Sequence, residues 1–296
     1  MDYLSLYKKC RLCARNCSVD RLSGGRGYCQ CTSTPVIARA DLHMWEEPII
    51  SGKNGSGTIF FSGCSMGCVF CQNREISREG KGETLSESEL AGIMLELEKK
   101  GAHNINLVTP THFVPSIIES VSLARKMGLE LPIVYNTGSY ENLETVRLLS
   151  NTADVYLPDY KYFRSKSAER YSKAENYPEV AFSAIEEMVR QKPRVVIENG
   201  LIKSGVVIRL LLLPSHIAEG KLALNRLFSA FGNNVYYSLM NQYTPFAGLE
   251  APLNRRVTQA EYREFIDYAD RIGVSNAFIQ GDGASGEGFI PDFDRL

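Results

Sequence analysis

From residue 57 onward the chain alternates short, wholly apolar runs with longer stretches in which apolar positions recur three and four residues apart. The first pattern belongs to strands buried on both faces, the second to helices packed against them. Six runs read as strands: GTIFFSG (57–63), NINLVT (104–109), PIVYN (132–136), DVYLPD (154–159), VVIRLLLLP (206–214) and VYYSLM (235–240). Between them Leu90, Ile93, Met94 and Leu97 share one helical face, behind a Ser86-x-x-Glu89 capping box. Ile117, Ile118, Val121 and Ala124 form a second face, with Pro115 in a first turn that tolerates it. Residues 178–190, and the set Tyr262, Phe265, Ile266, Ala269 and Ile272, predict two more helices. This alternation predicts an α/β fold with a parallel sheet covered by helices. Six strands fall short of the eight of a closed ring, so the architecture expected is a partial (β/α)6 barrel.

The front of the chain breaks the rhythm. Cys10, Cys13, Cys17 and Cys29 are spaced C-x2-C-x3-C-x11-C, and RLSGGRGYCQC sets glycine turns before Cys29 and Cys31. All eight cysteines lie at or before position 71. The organisation expected is a small cysteine-rich metal-binding module at residues 1–40 and a barrel at 41–296. The tail of the barrel, GDGASGEGFIPDFDRL, reads as a loop or lid. No internal repeat or low-complexity linker interrupts it.

Composition narrows the chemistry. The 296 residues are enough for a substantial core, and 44% hydrophobic with 23% charged residues is ordinary for a globular chain. A net charge of -1 offers no field to attract nucleic acid or an anionic membrane. MDYLSLYKKC has no apolar leader, and no run approaches the roughly 20 apolar residues of a spanning helix. A cytoplasmic protein with neither nucleic-acid nor membrane partner is expected. In a reducing compartment clustered cysteines hold metal or do redox chemistry more often than they pair. With four histidines, no Gly-x-Ser-x-Gly elbow and no Walker-type loop, hydrolase and phosphoryl-transfer chemistry lack their parts. SGKNGSG (51–57) precedes a strand instead of opening a helix, so it reads as an entry turn.

The densest chemistry is GCSMGCVFC (63–71), which places Cys64, Cys68 and Cys71 just after the first barrel strand, at the end where barrel enzymes keep their active sites. A structural zinc site closes with four ligands, yet the next histidine, His103, lies beyond a predicted helix. Three thiolates on a [4Fe–4S] cluster would instead leave one iron open to a substrate or cofactor. Gly63 and Gly67 let backbone pass close to such a cluster, and Phe70 is placed to shield it or face an adenine. Zinc closed by Cys31 or by a distant ligand is the competing arrangement.

Cys64-x3-Cys68-x-Phe70-Cys71 resembles the signature of the radical S-adenosylmethionine (SAM) family. EEPIISGKNGSGTIFFSGCSMGCVFCQNREIS, GAHNINLVTPTHFVP, PIVYNTGSYE, DVYLPDYKY and YYSLMNQYTP are similar to successive blocks of its uncharacterised branch related to pyruvate formate-lyase activating enzymes. The resemblance covers nearly the whole chain, the N-terminal cysteines included. It implies a partial β/α barrel and a [4Fe–4S] cluster whose free iron binds the amino and carboxylate groups of SAM. One electron then cleaves the sulfonium to methionine and a 5′-deoxyadenosyl radical that abstracts hydrogen.

Other site residues follow by position. Where many relatives have Gly-Gly-Glu this chain has VTPTH, so Thr109, Thr111 and His112 are the polar groups on offer, although His112 could equally cap the following helix. Asp159-x-Lys161 is similar to the Asp-x-Lys of the activating enzymes, where the lysine approaches the SAM carboxylate; a surface ion pair is the plainer reading. Arg209, inside an apolar strand, must find an anion, and it is the best candidate for a second contact to the SAM carboxylate. A histidine follows this arginine in the related branch; here it is Leu210, which removes a polar contact there. Asn136, Thr137, Gln242 and Tyr243 complete the expected rim, or serve as turn residues.

Cys10, Cys13, Cys17 and Cys29 make a complete thiolate set for zinc or for a second iron–sulfur cluster, with zinc favoured as the staple of a short glycine-rich knuckle. Cys31 replaces Cys29 or is a spare thiol. Tyr3, Tyr7, Lys8, Lys9, Arg11, Arg15, Arg21 and Arg26 form either a docking face or a solvated surface. Three functions compete. The first is a radical SAM oxidoreductase of activating-enzyme type that acts on a protein or peptide, by extension installing a glycyl radical. It would be served by a flavodoxin- or ferredoxin-like one-electron donor. The second applies the same chemistry to a small molecule, and the third is a non-enzymatic iron–sulfur or zinc protein.

Overall fold

A computed structural model describes residues 2–281 and Phe293. After a 3₁₀ turn at Leu4–Lys9 come β1 (Val36–His43), α1 (Pro48–Ser51), β2 (Ser56–Phe61), α2 (Arg74–Glu79), β3 (Glu83–Thr84), α3 (Glu87–Lys99), β4 (Ile105–Val108) and α4 (Val114–Lys126). The chain continues through β5 (Ile133–Thr137), α5 (Leu143–Leu148), β6 (Val155–Pro158), α6 (Ser165–Ser172), α7 (Tyr177–Gln191), β7 (Val196–Glu198) and β8 (Leu201–Leu211). It closes with α8 (Ile217–Phe231), β9 (Tyr236–Met240), α9 (Gln259–Arg271) and β10 (Ala277–Ile279).

The sheet runs β10-β9-β8-β6-β5-β4-β2-β1-β3, with β7 hairpinned onto β8. Every pairing from β2 to β10 along that order is parallel. β1 joins β2, and β3 joins β1, antiparallel. β10 and β3 end the order without pairing to each other, so the sheet is not closed: a partial barrel, as expected. The six predicted strands are β2, β4, β5, β6, β8 and β9. All residues of β2, β4, β5 and β6 are buried, which is why their sequences do not alternate. At the start of β2, Ser56 Oγ donates to Asn104 Oδ1 at 2.6 Å, and Asn104, just before β4, donates Nδ2 to the Ile50 carbonyl at 2.7 Å.

The helical faces form as the periodicity predicts. Ser86 and Glu89 make both halves of the capping box of α3, and Leu90, Met94 and Leu97 are buried; Ala91, not Ile93, is the fourth fully buried side chain. Pro115 lies in the first turn of α4. α8 escaped the sequence reading because Gly220 interrupts its pattern. A Cβ there would stand 3.0 Å from Leu212 Cδ1 and 3.4 Å from Phe265, so the glycine lets α8 approach β8 and α9.

The N-terminal segment is not set apart. The boundary expected at residue 40 falls inside β1, a strand whose charged Arg39 and Asp41 hid it. Tyr7 is buried, with its hydroxyl 3.1 Å from Ser116 Oγ of α4, and Arg21 is buried beside it. Neither residue belongs to a docking face or a solvated surface. The tail read as a loop or lid lies outside the described residues, except for Gly281 and Phe293; Phe293 meets Phe60 edge-on at 5.5 Å.

Candidate active site

Because the strands are parallel, the segments that leave β2, β4, β5, β6 and β9 all emerge at one end of the sheet. A cavity of about 260 Å³ lies there. Cys64, Cys68 and Cys71 form one wall of it, with Phe70 between them. Gly63 and Gly67 both take positive φ, +84° and +65°. At Gly67 an added Cβ would fall 1.0 Å from a guanidinium nitrogen of Arg78, so that side chain would have to move, and the positive φ would be strained besides. Each sulfur has its own donor: Met66 N to Cys64 Sγ at 3.3 Å, Ser172 Oγ to Cys68 Sγ at 3.0 Å and Ser77 Oγ to Cys71 Sγ at 3.7 Å. Burial, reinforced by neighbouring thiols, raises Cys64 and pushes Cys71 up to about 12. Those two thiols are protonated at neutral pH, so metal binding must displace protons. Phe70 packs edge-on to Tyr162, Tyr171 and Tyr243 at ring distances of 6.4, 6.4 and 5.9 Å.

The opposite wall is polar. Arg209 Nε donates to Asp159 Oδ1 at 2.8 Å and Arg209 Nη2 to Asn136 Oδ1 at 2.5 Å; its Nη1 lies 3.4 Å from Glu46 Oε2. Lys161 Nζ donates to Asp159 Oδ2 at 2.5 Å. This is a buried network and not a surface ion pair: the side chains of Arg209, Asp159 and Lys161 are 14%, 18% and 19% exposed. Burial works against every charge here, and the outcome differs by partner. Asp159, between two cations, is held below the usual carboxylate range, whereas Glu46, facing one cation at longer range, is raised by burial. For Lys161, burial is outweighed by the Asp159 carboxylate and Cys68, and its pKa is raised. Thr109 also lines the cavity, with φ +58°. A β-branched residue in that region is strained. Its N–H is held by the Asn136 carbonyl at 2.9 Å.

Thr111, Thr137, Gln242 and Tyr243 reach the same cavity. His112 does not. It is buried behind the cysteine loop with Nε2 2.7 Å from the Ser62 carbonyl, and α4 begins without a side-chain cap. The sequence reading passed over Glu46, Asn106, Ser77 and Ser172. Asn106 Nδ2 donates to Glu46 Oε1 at 2.8 Å, fixing the carboxylate beneath Arg209. Only the Glu46-Glu47-Pro48 stretch, acidic residues before an apolar pair, carried a sequence signal. Cys31 is not among the residues that line the cavity; its Sγ donates to the Cys29 and Ser62 carbonyls at 3.3 and 3.4 Å. His103 Nε2 accepts from Asn54 N at 3.2 Å, far from the cavity lining.

These residues fit a thiolate-held metal centre. Three soft sulfur donors share one wall of a cavity whose opposite wall is polar, each with its own hydrogen-bond donor to stabilise a thiolate.

The comparisons with known proteins agree. The model of the radical SAM superfamily matches residues 58–214, more than half of the chain. The chain belongs to the radical SAM superfamily, and that membership implies a redox-type enzyme that uses a [4Fe–4S] cluster and SAM. An uncharacterised protein of Methanocaldococcus jannaschii is 29% identical over 281 residues, covering 91% of this chain and 77% of that one. Among solved structures, Streptococcus suis SuiB bound to S-adenosylmethionine superposes with a TM-score of 0.53 at 10% identity, covering 75% of this chain and 49% of SuiB. HydG, a maturase of the [FeFe]-hydrogenase, gives 0.52 at 14% identity, covering 74% and 49%. The chain thus spans about half the length of these two structures, which share its fold.

Proposed function

We propose that the protein is a radical SAM enzyme of the activating-enzyme type, which abstracts hydrogen from a protein or peptide segment, glycyl-radical installation being its most specific form. The observation that carries this reading is the convergence of Cys64, Cys68 and Cys71 with Lys161, Asp159, Arg209 and Asn136 on one cavity at the ends of the parallel strands. The bound cluster would supply one electron to the sulfonium of SAM, giving methionine and a 5′-deoxyadenosyl radical.

The chain's own residues have separable tasks. Cys64, Cys68 and Cys71 hold the cluster, and Met66 N, Ser172 and Ser77 stabilise negative charge on their sulfurs. Lys161 presents an ammonium to the SAM carboxylate, while Asp159 restrains it. Arg209 is already engaged by three acceptors, so its part is to set Asp159 and Asn136 in place and to balance the carboxylates of the polar wall. Phe70 and its tyrosine neighbours exclude water from the cluster side. Support for a macromolecular substrate comes from the open sheet and from Trp45, 60% exposed, in the cavity lining. The sequence blocks similar to activating enzymes support the same reading, and SuiB, a fold neighbour, was solved with SAM bound. A reduced flavodoxin- or ferredoxin-like protein is the donor proposed. Eight free cysteines suit a reducing, cytoplasmic setting, and no helix among the described residues is long and apolar enough to cross a membrane.

The test is deuterium transfer. Candidate peptides deuterated at the glycine Cα are incubated with reconstituted enzyme, SAM and reductant. Deuterium in 5′-deoxyadenosine supports a peptide substrate; its consistent absence, with deuterium drawn instead from a small metabolite, replaces that substrate class.

A further inference from the structure

Glu141 stands behind the cavity wall, buried and without a task in holding the cluster or the SAM carboxylate. After β5 the chain turns through Gly138 and Ser139, the latter at φ +63°, and Ser139 N donates to Thr137 Oγ1 at 3.1 Å. The turn returns Glu141 to Thr137, with the carboxylate residue 2% exposed and outside the cavity lining. Three hydroxyls hold it. Tyr135 Oη donates to Oε2 at 2.9 Å and Thr111 Oγ1 to Oε1 at 3.1 Å, and Thr137 Oγ1 donates to that same Oε1. Among the described residues its partners include no cation. Glu46 and Asp159, the carboxylates of the polar wall, both face Arg209 instead.

A carboxylate buried without a cation is costly, and it orients the groups around it. A threonine hydroxyl has one proton to give. With both protons turned to Glu141, Thr111 and Thr137 have only lone pairs left to offer, and both residues line the cavity. Their oxygens are 3.4 Å apart, close enough for one amino group to reach both. This part of the wall is therefore an acceptor pair with an anion behind it, suited to a donor that carries positive charge. Burial pushes the Glu141 carboxyl up to about 7, and a positive charge at the wall would hold it ionised.

Position identifies the donor. Asp159 N donates to the Thr137 carbonyl at 2.8 Å, so Thr137 and the Asp159-x-Lys161 turn lie side by side. One residue further, a Cβ on Gly138 would stand 3.6 Å from Met66 Cγ of the cysteine loop and 3.7 Å from Lys161 Cε. A cation and an acceptor pair thus flank one short stretch of wall beside the cysteines. An α-amino acid carries its carboxylate and its amino group on one carbon and needs just such neighbours.

We infer that Thr111 and Thr137 take the α-amino group of SAM, and that Glu141 aligns their hydroxyls and balances the charge the group brings. The inference deepens the radical SAM reading and rests on it. Whether protonated or bound to a metal, an amino group presents polarised N–H bonds, so the same acceptors serve in either state. Glu141 touches no part of SAM and is a positioning residue.

Calorimetric titration of the anaerobically reconstituted full chain tests this, with SAM compared against its analogue bearing hydrogen in place of the α-amino group. Glu141→Gln retains an acceptor oxygen and the backbone pairing with Cys13, and removes the charge. SAM should bind this variant about tenfold more weakly than the wild type, and the analogue within about twofold of its wild-type affinity. Thr111→Val, which leaves Glu141 in place, should give the same split with a smaller loss. Iron content should be unchanged in both variants. Equal weakening of the two ligands, or no change in either, overturns the inference and leaves the radical SAM reading standing. Failure of the cluster-loaded wild type to bind SAM overturns that reading, and the amino-group subsite with it.

Discussion

Single residues decide whether the cluster loop works. Replacing Cys64, Cys68 or Cys71 by Ala should remove the catalytic cluster, with 5′-deoxyadenosine formation at background and the circular dichroism spectrum unchanged; turnover in any one variant would contradict the ligand assignment. Gly67→Ala tests the backbone, since its Cβ would overlap Arg78 and the residue sits at φ +65°. The iron bound at Cys64, Cys68 and Cys71 should fall by more than half in that variant, and full occupancy would show that the loop does not need the conformation. Lys161→Met removes a charge-assisted contact of about 1.5–3 kcal/mol, so SAM binding measured by calorimetry should weaken by roughly tenfold to a hundredfold with the cluster intact. Sequence reading reached Lys161, Asp159 and Arg209 because a charge beside or within an apolar strand is conspicuous. Glu46 and Ser172 stayed hidden because their partners are distant in sequence: Ser172 meets Cys68 across 104 positions and Glu46 meets Arg209 across 163.

At the scale of elements, legibility followed burial. β2, β4, β5 and β6 are buried along their whole length, and an unbroken apolar run announces such a strand. β1 has one open side and carries charges, and β3 and β10 are two and three residues long, too short for any pattern. Helix ends were legible only where a cap is written in the sequence, as at Ser86. α9 has a second capping box, Thr258 with Glu261, which the reading missed. Arg255 grips the same carboxylate with two bonds of 2.7 Å and, with the capping groups, holds Glu261 down to about 2 from an ordinary 4.5. A depressed carboxylate stabilises the fold above its unfolded value and loses that contribution as pH falls through the folded one. Because Arg255 is 41% exposed, the contribution is screened to about 1 kcal/mol. Glu261→Gln should therefore lower stability above pH 4.5 and leave it unchanged below about 2 in urea titrations of the chain. Equal destabilisation at all pH values would assign the effect to packing instead.

For the whole molecule, an open sheet brings the ends of its parallel strands to one side, and two cysteine sets meet around that end. Arg15 and Tyr28 bind the N-terminal segment to the cysteine loop, Arg21 binds it to the turn before α4, and Tyr7 binds it to α4 itself. The sequence patterns could show two sets of thiols; they could not show that the sets touch, because that contact depends on how β1 and the β5–α5 connection fold the front back. Asn142, for example, donates to the Arg11 carbonyl at 2.6 Å. The central claim is that this cavity binds SAM at a three-cysteine cluster and cleaves it reductively. The most direct measurement is EPR of the anaerobically reconstituted, dithionite-reduced Cys13→Ala/Cys17→Ala protein, with and without SAM, together with 5′-deoxyadenosine formation. A reduced-cluster signal that shifts when SAM is added, accompanied by 5′-deoxyadenosine, is the result predicted. A [4Fe–4S] signal indifferent to SAM, with no 5′-deoxyadenosine from either this variant or the wild type, would contradict it.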